Sequence, residues 1–433
     1  MSNLNKESPG FIENSNTSKQ NLMDEVPQKS ILMTSERRLM LGVVIAAGLG
    51  EMAYNIVNMS AMPVYTKYIH LSLSWTAIFL FAFLIMESPL KAPMGLLSDR
   101  IGRKPLILLA PCVSMCTSLL ITITHAPYLI LILRILDGVA AAALWPATFC
   151  LIADHIPEIR HSAAMSWFNT AYLVGIAFSP AIGGHLDDHF HTPIVSFYAA
   201  SILFGLTLIA SIILIPGGRP IHTGQAEAVD FNTMKRIVKA IPLLMLLIFL
   251  IFFGIGLVMS YLKPFVMHRY HLSEGEFGNA LLIPALLVAS LSTVLGSLGD
   301  KYGKPMAVKL GLAFCAFSFW ALFTSTAPWT LEVLGTFIGV GFVVAFPSFM
   351  AIVSCRCDPE VRGGSVGAVG AAQGLGAILG VASSSVLWGV KIPEFLHIAK
   401  HEIPFIGCAV FITLAYILSM IPTVLEGKTR ATE

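Results

Sequence analysis

Five ionisable residues interrupt long apolar stretches in the first half of the sequence, and they are the residues best suited to chemistry. They are Glu51, Glu87, Lys91, Arg134 and Asp137. Glu87 and Lys91 are four residues apart and Arg134 and Asp137 are three apart, so each couple shares a helix face and can form an ion pair. Charges at bilayer depth are costly, and they mark a transport pathway, a proton relay or a mutual pair. This pairing leaves Glu51 as the lone carboxylate.

A lone carboxylate in apolar surroundings can bind and release a proton or hold a monovalent cation. We therefore predict that Glu51 is the first proton carrier and Asp137 the second, that Glu87 belongs to the same coupling group, and that Arg134 and Lys91 modulate the proton affinity of these carboxylates. At about 1.5 Å per residue, Glu51 and Glu87 should lie near the middle of the membrane, and Arg134 and Asp137 in the outer half of a cavity. The alternative is a static network that only holds helices together, and it predicts no response to pH.

Polar and aromatic side chains at a similar depth could form a binding surface. Asn55 is one helical turn from Glu51, so the two side chains project together. A single polar residue at this depth more often forms an interhelical hydrogen bond than a ligand contact. Taken together, these polar and aromatic residues suit an amphipathic organic molecule. The predicted substrate-binding residues are Asn55, Asn58, Trp145, Asn169, Tyr172, Phe253, Tyr261 and Gln373.

The elements that must position these residues are membrane-spanning helices. The chain is 56% hydrophobic and only 12% charged, whereas roughly a quarter of the residues of a soluble protein are charged. A spanning helix needs about 20 apolar residues. Twelve stretches meet that need, at 39–66, 75–98, 105–124, 128–153, 163–186, 194–215, 241–266, 277–299, 306–326, 329–354, 364–388 and 402–424. The sequence therefore predicts an all-α membrane protein.

The distribution of positive charge predicts the orientation of the chain. If the N-terminus is cytoplasmic, most of the 27 Lys and Arg residues fall on the inner side, and Lys263 is among the few in the outer loops. This is the positive-inside pattern, and we therefore expect both termini in the cytoplasm. The expected organisation is a disordered tail over 1–36, a six-helix bundle over 37–216, a cytoplasmic linker over 217–240, a second six-helix bundle over 241–425 and a short tail over 426–433.

The second half of the sequence repeats the first at an interval of 201 positions. Asp99 aligns with Asp300, and Gly102 aligns with Gly303. Two six-helix halves that run in the same direction, related by an axis along the membrane normal, form a transporter architecture with the substrate site between the halves.

The repeated turns also carry a family resemblance. "GLLSDRIGRK" follows the second predicted span and "GSLGDKYGK" follows the eighth, and with them the chain resembles a major facilitator superfamily transporter from about Arg38 to Leu425. Glycine permits the tight turn, the Asp99 carboxylate can accept hydrogen bonds from a helix N-terminus, and the cations can pair with Asp154 or Glu158. We predict a gating latch formed by Gly95, Asp99, Arg100, Gly102, Arg103, Lys104, Asp300, Gly303 and Lys304.

"LRILDGVAAAALWP", from Leu133 to Pro146, resembles the fourth-helix signature of that superfamily. The resemblance implies that Arg134 takes part in proton coupling. Arg134 and Gly138 match the signature, and Asp137 stands where a glutamine is common.

"GIAFSPAIGG", from Gly175 to Gly184, resembles the fifth-helix signature of the drug:proton antiporters, which are the multidrug efflux branch. Ser179 replaces the glycine that this signature has before the proline. Small residues let helices pack closely, and proline supplies a bend. We predict close packing of this helix at Gly175, Pro180, Gly183 and Gly184.

"HLDDHFH", which begins at His185, has the ligand types of a divalent metal site. Without a fixed scaffold we expect a solvated loop there and no bound metal.

These features predict an alternating-access secondary transporter that exports a small amphipathic organic molecule in exchange for protons. The alternatives are a proton-coupled uptake symporter, a facilitative uniporter of a small metabolite, and a transport-dead membrane sensor. The sequence contains no P-loop and no nucleophile–base constellation, so we expect no enzyme and no cofactor. The expected partners are the substrate, protons and lipid, without nucleic acid, and we expect a monomer in a bacterial inner membrane.

Overall fold

The computed structural model describes residues 34–156, 158–217, 239, 241–296, 298–325, 327–356, 362–389 and 402–425. Most of the predicted N-terminal tail and linker and the whole C-terminal tail therefore lie outside the described residues. The first helix begins at Thr34, just inside the predicted tail.

The first half of the chain forms six long helical segments, of which the first is interrupted. Their bounds are α1 Thr34–Asn55, a π-helical turn Ile56–Ala61, α2 Met62–Tyr68, α3 Ser74–Ile101, α4 Arg103–Thr122, α5 Pro127–His155, α6 Glu158–Phe190 and α7 Ile194–Leu214. The π-helical turn breaks the predicted first span, and Pro63 then opens α2.

The second half follows the same plan. Its helices are α8 Pro242–Met259, α9 Leu262–Tyr270, α10 Glu274–Gly296, α11 Leu298–Tyr302, α12 Lys304–Thr324, α13 Pro328–Arg356, α14 Arg362–Gly389, α15 Ile403–Met420 and α16 Pro422–Leu425. Eleven segments of the described chain are long and apolar enough to cross a membrane. The remaining long helix, α6, has 33 residues and packs in the first bundle on α1. The predicted all-α architecture of two parallel six-helix repeats is confirmed.

Helix packing repeats between the halves. In the first half α1 packs on α6 and α7, and in the second half α8 packs on α14 and α15 in the same way. A Cβ atom on Gly175 would come within 2.4 Å of the Gly48 carbonyl oxygen, and one on Gly376 within 2.7 Å of the Phe249 carbonyl oxygen. Both residues of the second pair lie 201 positions after those of the first. Positions 201 residues apart are therefore structurally equivalent.

The two copies of the signature turn share a backbone conformation. Gly102 has φ of 98° and Gly303 has φ of 95°. Side chains of L-residues rarely adopt this conformation, so glycine is required at each turn between two helices.

Candidate transport site and far-end closure

The bundle has two chemically different ends. The loop end carries the turn Gly95–Lys104, and the far end is opposite to it. Among the residues that the structure describes, the most extensive contacts between the halves are those of α6 with α10 and of α3 with α14.

An aromatic cavity of about 260 Å³ lies between α3, α5 and α6. The Trp145 ring packs edge-to-face on Tyr172 and Phe168, with ring centroids 5.3 and 5.5 Å apart. The lining residues are Lys91, Trp145, Pro146, Phe149, Phe168, Asn169 and Tyr172. The structure thus brings together Trp145, Asn169 and Tyr172 of the predicted substrate-binding set, together with Lys91 of the predicted coupling set.

Phe149 and Phe168 are cavity residues that the sequence analysis missed. Their rings lie 4.8 Å apart. A signal was present, because Trp145 and Phe149 are four residues apart, as are Phe168 and Tyr172, and this spacing places two aromatic rings on one helix face.

Glu51 lies behind the wall of the aromatic cavity. It is only 9% exposed. The Asn55 side-chain amide donates a hydrogen bond to the Glu51 carboxylate at 2.8 Å. The Tyr172 side chain interacts with this carboxylate electrostatically. Within the part of the chain that the structure describes, Glu51 forms no ion pair. Glu51 is therefore a buried, hydrogen-bonded carboxylate beside Tyr172, which lines the cavity.

Glu87 and Lys91 form an ion pair at the cavity wall. The Lys91 Nζ to Glu87 Oε1 distance is 2.7 Å, and the Lys91 side chain is 40% exposed while that of Glu87 is 13% exposed. The exposed Lys91 ammonium group thus faces the cavity, and its charge is largely neutralised by Glu87 on the same helix.

Arg134 and Asp137 pair inside the first bundle. Arg134 Nη1 lies 2.5 Å from Asp137 Oδ2, and Ser114 donates a hydrogen bond to Asp137 Oδ1 at 2.5 Å. The Tyr54 hydroxyl is 2.8 Å from the Ser114 hydroxyl, and Arg134 also donates to the Asn58 side-chain oxygen. Tyr54, Asn58, Ser114, Arg134 and Asp137 thus form one buried group, the polar core.

The polar core corrects the predicted direction of the side chains of its members. Arg134 and Asp137 are 1% and 2% exposed, so the expectation that they face the outer half of the cavity is wrong. The reason is that α5 turns them toward α1 and α4, where Tyr54 and Ser114 supply hydrogen-bond partners. Asn58, expected to contact substrate, instead accepts a hydrogen bond from Arg134.

Three predicted substrate residues lie in the second half and do not line the aromatic cavity. Tyr261 is fully buried near the far end. The Phe253 ring packs within the second bundle, with its centroid 4.5 Å from that of Phe411. Gln373 is half-buried on α14.

The predicted latch at the loop end is formed within one half. Arg103 Nε donates to Asp154 Oδ2 at 2.9 Å, and Arg103 Nη1 donates to the Ser98 hydroxyl at 2.5 Å. Both partners belong to the first half, so the Arg103 pair holds α3, α4 and α5 together and does not itself bridge the halves. The side chains of Asp99, Asp300 and Glu158 lie outside what the structure describes.

Lys104 also bonds within the first half. Its ammonium group donates to the carbonyl oxygens of Ile212 and Ile215 at 2.8 and 2.7 Å. These carbonyls end α7 and lack intrahelical partners, so Lys104 caps that helix. Arg100 is exposed, and Lys304 at the second turn is half-buried.

A buried lysine joins the halves at the far end. Lys263, in α9, is 3% exposed. Its ammonium group donates to the Ser60 carbonyl oxygen at 2.9 Å, lies 3.7 Å from Asp187 Oδ2 and forms an ion pair with Glu274. Ser60 and Asp187 belong to the first half. The assignment of Lys263 to an outer loop was wrong, and its place inside the predicted span 241–266 was the signal that it is buried.

Asp188 caps a helix of the opposite half. Its carboxylate accepts hydrogen bonds from the backbone N–H groups of Glu274 and Gly275, at 3.0 and 2.7 Å, where α10 begins. Asp187 accepts a hydrogen bond from Ser196 at 2.6 Å. The expectation of a solvated loop at "HLDDHFH" is therefore wrong, because both aspartates contact the second half. No cluster suited to a metal is present among the residues that the structure describes.

Glycines bring α6 and α10 into close contact beside these bonds. A Cβ atom on Gly184 would come within 2.1 Å of the Glu274 carbonyl oxygen, and one on Gly278 within 2.5 Å of the Pro180 carbonyl oxygen. Gly183 approaches the π-helical turn in the same manner. The halves are therefore closed against each other at the far end, while the aromatic cavity lies on the loop-end side of α6.

A buried carboxylate behind an aromatic cavity, within two repeated bundles that are sealed at one end, defines a membrane transport protein. The chain belongs to the Major Facilitator Superfamily, whose family model matches residues 40–381. It is an integral, multi-pass membrane protein of that superfamily.

Its relatives include proteins named for drug resistance. The multi-drug resistance efflux pump PmrA of Streptococcus pneumoniae serotype 4 is 26% identical over 267 residues, which cover 60% of this chain and 66% of that protein. The chain therefore spans just under two thirds of the length of that relative. Multidrug resistance protein 2 of Bacillus subtilis is 23% identical over 339 residues, which cover 76% of this chain and 84% of that protein.

Solved transporters share the fold. A bacterial homologue of the human lysosomal transporter Spinster, in an inward-facing and unoccupied conformation, has a TM-score of 0.72 at 15% identity and covers 92% of this chain and 100% of its own. The nucleoside transporter NupG has a TM-score of 0.71 at 12% identity and covers 88% of this chain and 97% of its own.

Proposed function

We propose that this transporter exports a small amphipathic organic molecule in exchange for protons, and that Glu51 carries the proton. The observation that carries the proposal is a buried carboxylate, Glu51, that is held by Asn55 and lies beside Tyr172, a wall residue of the aromatic cavity. The names of the relatives and the fifth-helix motif support export of drug-like molecules. In this proposal the protein acts as a monomer.

The coupling follows from hydrogen-bond chemistry. An ionised carboxylate only accepts hydrogen bonds, so Asn55 donates to Glu51 in that state and the neighbouring Tyr172 hydroxyl is able to donate as well. Once protonated, Glu51 becomes a donor itself and loses its negative charge, which weakens the hold on Tyr172. A substrate that prefers the charged, Tyr172-bound site then competes with the proton, and such competition produces exchange in opposite directions.

The direction of transport follows from the proposed orientation. With positive charge inside, the loop end faces the cytoplasm, so the aromatic cavity is reached from the cytoplasm and the Lys263 bonds close the outer side. Opening outward requires Lys263 to leave Ser60 and Asp187. The Arg103 bonds at the loop end would stay intact in this step, so that α3, α4 and α5 move together as a rigid unit. Asp137 is the second candidate proton site.

The test uses proteoliposomes with an imposed pH gradient and a panel of lipophilic cations that includes ethidium and tetraphenylphosphonium. Wild type should move a panel member against its gradient while lumenal pH changes, and Glu51→Gln should exchange substrate without proton movement. Glu332→Gln, a half-buried carboxylate near an end of α13, is the matched control and should behave as wild type. If wild type and Glu51→Gln equilibrate the panel equally and lumenal pH never changes, the protein is a uniporter and Glu51 is structural.

A further inference from the structure

A second polar cavity lies at the loop end of the first half. It has a volume of about 410 Å³ and is found where α1 and α4 begin and where α5 and α7 end. This volume is within the range of about 300–1,000 Å³ that is typical of small-molecule sites. The cavity is lined by Glu36, Arg38, Leu39, Lys104, His155 and residues 212–217, none of which lines the aromatic cavity. We call it the basic cavity.

Positive charge exceeds negative charge around the basic cavity. Arg38 and Lys104 both line it, and the acidic residue among the lining residues that the structure describes is Glu36. His155, which is exposed, adds a further positive charge when it is protonated. The repeat does not preserve this arrangement, because the position 201 residues after Lys104 is Pro305. The basic cavity therefore attracts an anion, and it is a feature of the first half.

Both cations are fixed in position and keep donors for a ligand. Lys104 donates to the carbonyl oxygens of Ile212 and Ile215, and Arg38 donates to that of Ile213. An ammonium group has three N–H donors and a guanidinium group has five, so these bonds use only part of the donor capacity. The carbonyls at the end of a helix carry a partial negative charge, which orients the two cations without neutralising them.

The basic cavity lies at the boundary of the membrane. The candidate spans Glu36–Tyr68, Arg103–Thr122 and Ile194–Leu214 each end at or beside one of its lining residues. Ile212 and Ile213 line the cavity and are also 51% and 55% exposed. Exposed apolar side chains on a membrane-spanning helix face the lipid hydrocarbon. A molecule with its anionic group in the cavity therefore has an apolar surface beside it for an acyl chain.

We propose that the basic cavity binds the phosphate group of an anionic phospholipid, with an acyl chain against the exposed isoleucines at the end of α7. Basic pockets between membrane helices bind phosphate-bearing lipid headgroups, and Arg and Lys form strong charge-assisted hydrogen bonds to phosphate oxygens. A soluble phosphate offers the same oxygens but has no apolar part for these isoleucines. The bound lipid would link the loop ends of α1, α4 and α7.

The test measures lipid binding to the purified full-length protein by native mass spectrometry, with phosphatidylglycerol and phosphatidylcholine of identical acyl chains. Each Lys or Arg near a membrane surface strengthens the binding of anionic lipid by about fivefold. Wild type should therefore bind the first phosphatidylglycerol molecule about fivefold or more tightly than the first phosphatidylcholine molecule. The double variant Arg38→Gln, Lys104→Gln should remove this preference.

A second variant keeps both cations, because Lys104 also caps α7. A Cβ atom on Gly217 would lie 3.8 Å from Cδ of Lys104, which is an ordinary contact. Gly217→Asp therefore adds a negative charge at the rim of the basic cavity without crowding it, and it should lower the preference to about twofold or less. The matched control is Lys301→Gln, which removes an exposed lysine at the loop end of the second half and should keep the wild-type preference.

Glycerol 1-phosphate, added in millimolar excess, distinguishes the two sources of phosphate. The lipid should remain bound, and its displacement by this soluble phosphate would overturn the assignment to a phospholipid. The proposal is also overturned if wild type binds the two lipids equally, if Lys301→Gln loses the preference as fully as the double variant does, or if both cavity variants fold and keep the preference.

Discussion

The two halves of this transporter share a backbone plan but place their polar groups in opposite ways. The first half holds Tyr54, Ser114 and Asp137 in its interior, where the second half has Ile255, Cys315 and Ile338. The repeat gives the two bundles matching helix packing. The side chains at equivalent positions differ, and this difference determines where polar groups lie. The interior of the first half therefore contains charged and hydroxyl groups at positions where the second half has apolar or thiol side chains.

The far end reverses this contrast. There the second half contributes the cation Lys263, which binds oxygen atoms of Ser60 and Asp187 in the first half. Asp188 of the first half caps α10 beside it. The Arg134–Asp137 pair lies within the first half, so its two groups stay together when the halves move. The Lys263–Asp187 pair joins the halves, so its two groups must separate when the far end opens. We therefore expect changes in the polar core to act first on stability, and changes in the far-end bonds to act on the equilibrium between closed and open states.

The largest expected effect comes from breaking the polar core. Asp137→Ala leaves the Arg134 guanidinium buried without its partner, and it should cost about 3–5 kcal/mol of folding stability. The double variant Arg134→Met, Asp137→Leu gives the first half the apolar character of the second and should recover most of that loss, because a well-packed apolar pair can replace a buried ion pair. Thermal unfolding of the purified proteins measures both. A double variant no more stable than Asp137→Ala would contradict the comparison.

The next effect concerns the far end. Lys263→Met leaves Asp187 and Glu274 without their cation, so closure should weaken by roughly tenfold or more in population. His185 Nε2 and Asn279 Oδ1 are 3.1 Å apart across the halves, and cysteines at these two positions should cross-link readily in an otherwise cysteine-free protein. Lys263→Met should reduce the yield of this cross-link. Lys67 is exposed, so Lys67→Met is the control. If the cross-link yield is the same in the parent cysteine pair, in Lys263→Met and in Lys67→Met, then Lys263 does not contribute to closure of the far end.

The sequence was sufficient for features that depend on local spacing. The spans, the repeat and the partners within the couples Glu87–Lys91 and Arg134–Asp137 follow from hydrophobic runs and from neighbours three or four residues apart on a helix. Helix counting gave depth but no direction around the helix axis. The π-helical turn Ile56–Ala61 shifts the faces that follow it, so the contact of Asn58 with Arg134 and of Ser60 with Lys263 could not be derived from the position of Glu51.

Contacts between helices distant in sequence were also beyond prediction. Asp187 and Asp188 were correctly seen as polar, but their partners in α9 and α10 lie more than 70 residues away, and one of those partners is a set of backbone N–H groups that no residue type reveals. The aromatic cavity was found in part, because its rings repeat at helical spacing on α5 and α6.

A smaller effect separates proton binding from substrate binding in the first half. Tyr172→Phe removes the hydroxyl that interacts with Glu51 and keeps the ring in the aromatic cavity. The loss of one polar interaction of about 1 kcal/mol should reduce proton-coupled transport by roughly fivefold while substrate affinity changes little. Trp145→Leu should show the reverse pattern, with weaker substrate binding and an unchanged ratio of protons to substrate. Parallel losses in both variants would mean that the two sites act as one.

The smallest effect is a pH dependence of far-end closure that arises from Asp187. This residue lies just beyond the predicted fifth span, and burial raises its pKa to about 6, with Lys263 opposing and Glu274 adding to the shift. When the far end opens, the carboxyl group regains water and an ordinary pKa near 4. The closed form therefore binds more protons, so lowering the pH from about 7 to 6 should favour closure by roughly twofold. Spin labels at positions 67 and 276, which are exposed on opposite halves, measure the closed fraction. Asp187→Asn retains the response of every other titratable group, His185 among them, and should lose this twofold increase; an unchanged increase in that variant would assign the pH dependence to another residue.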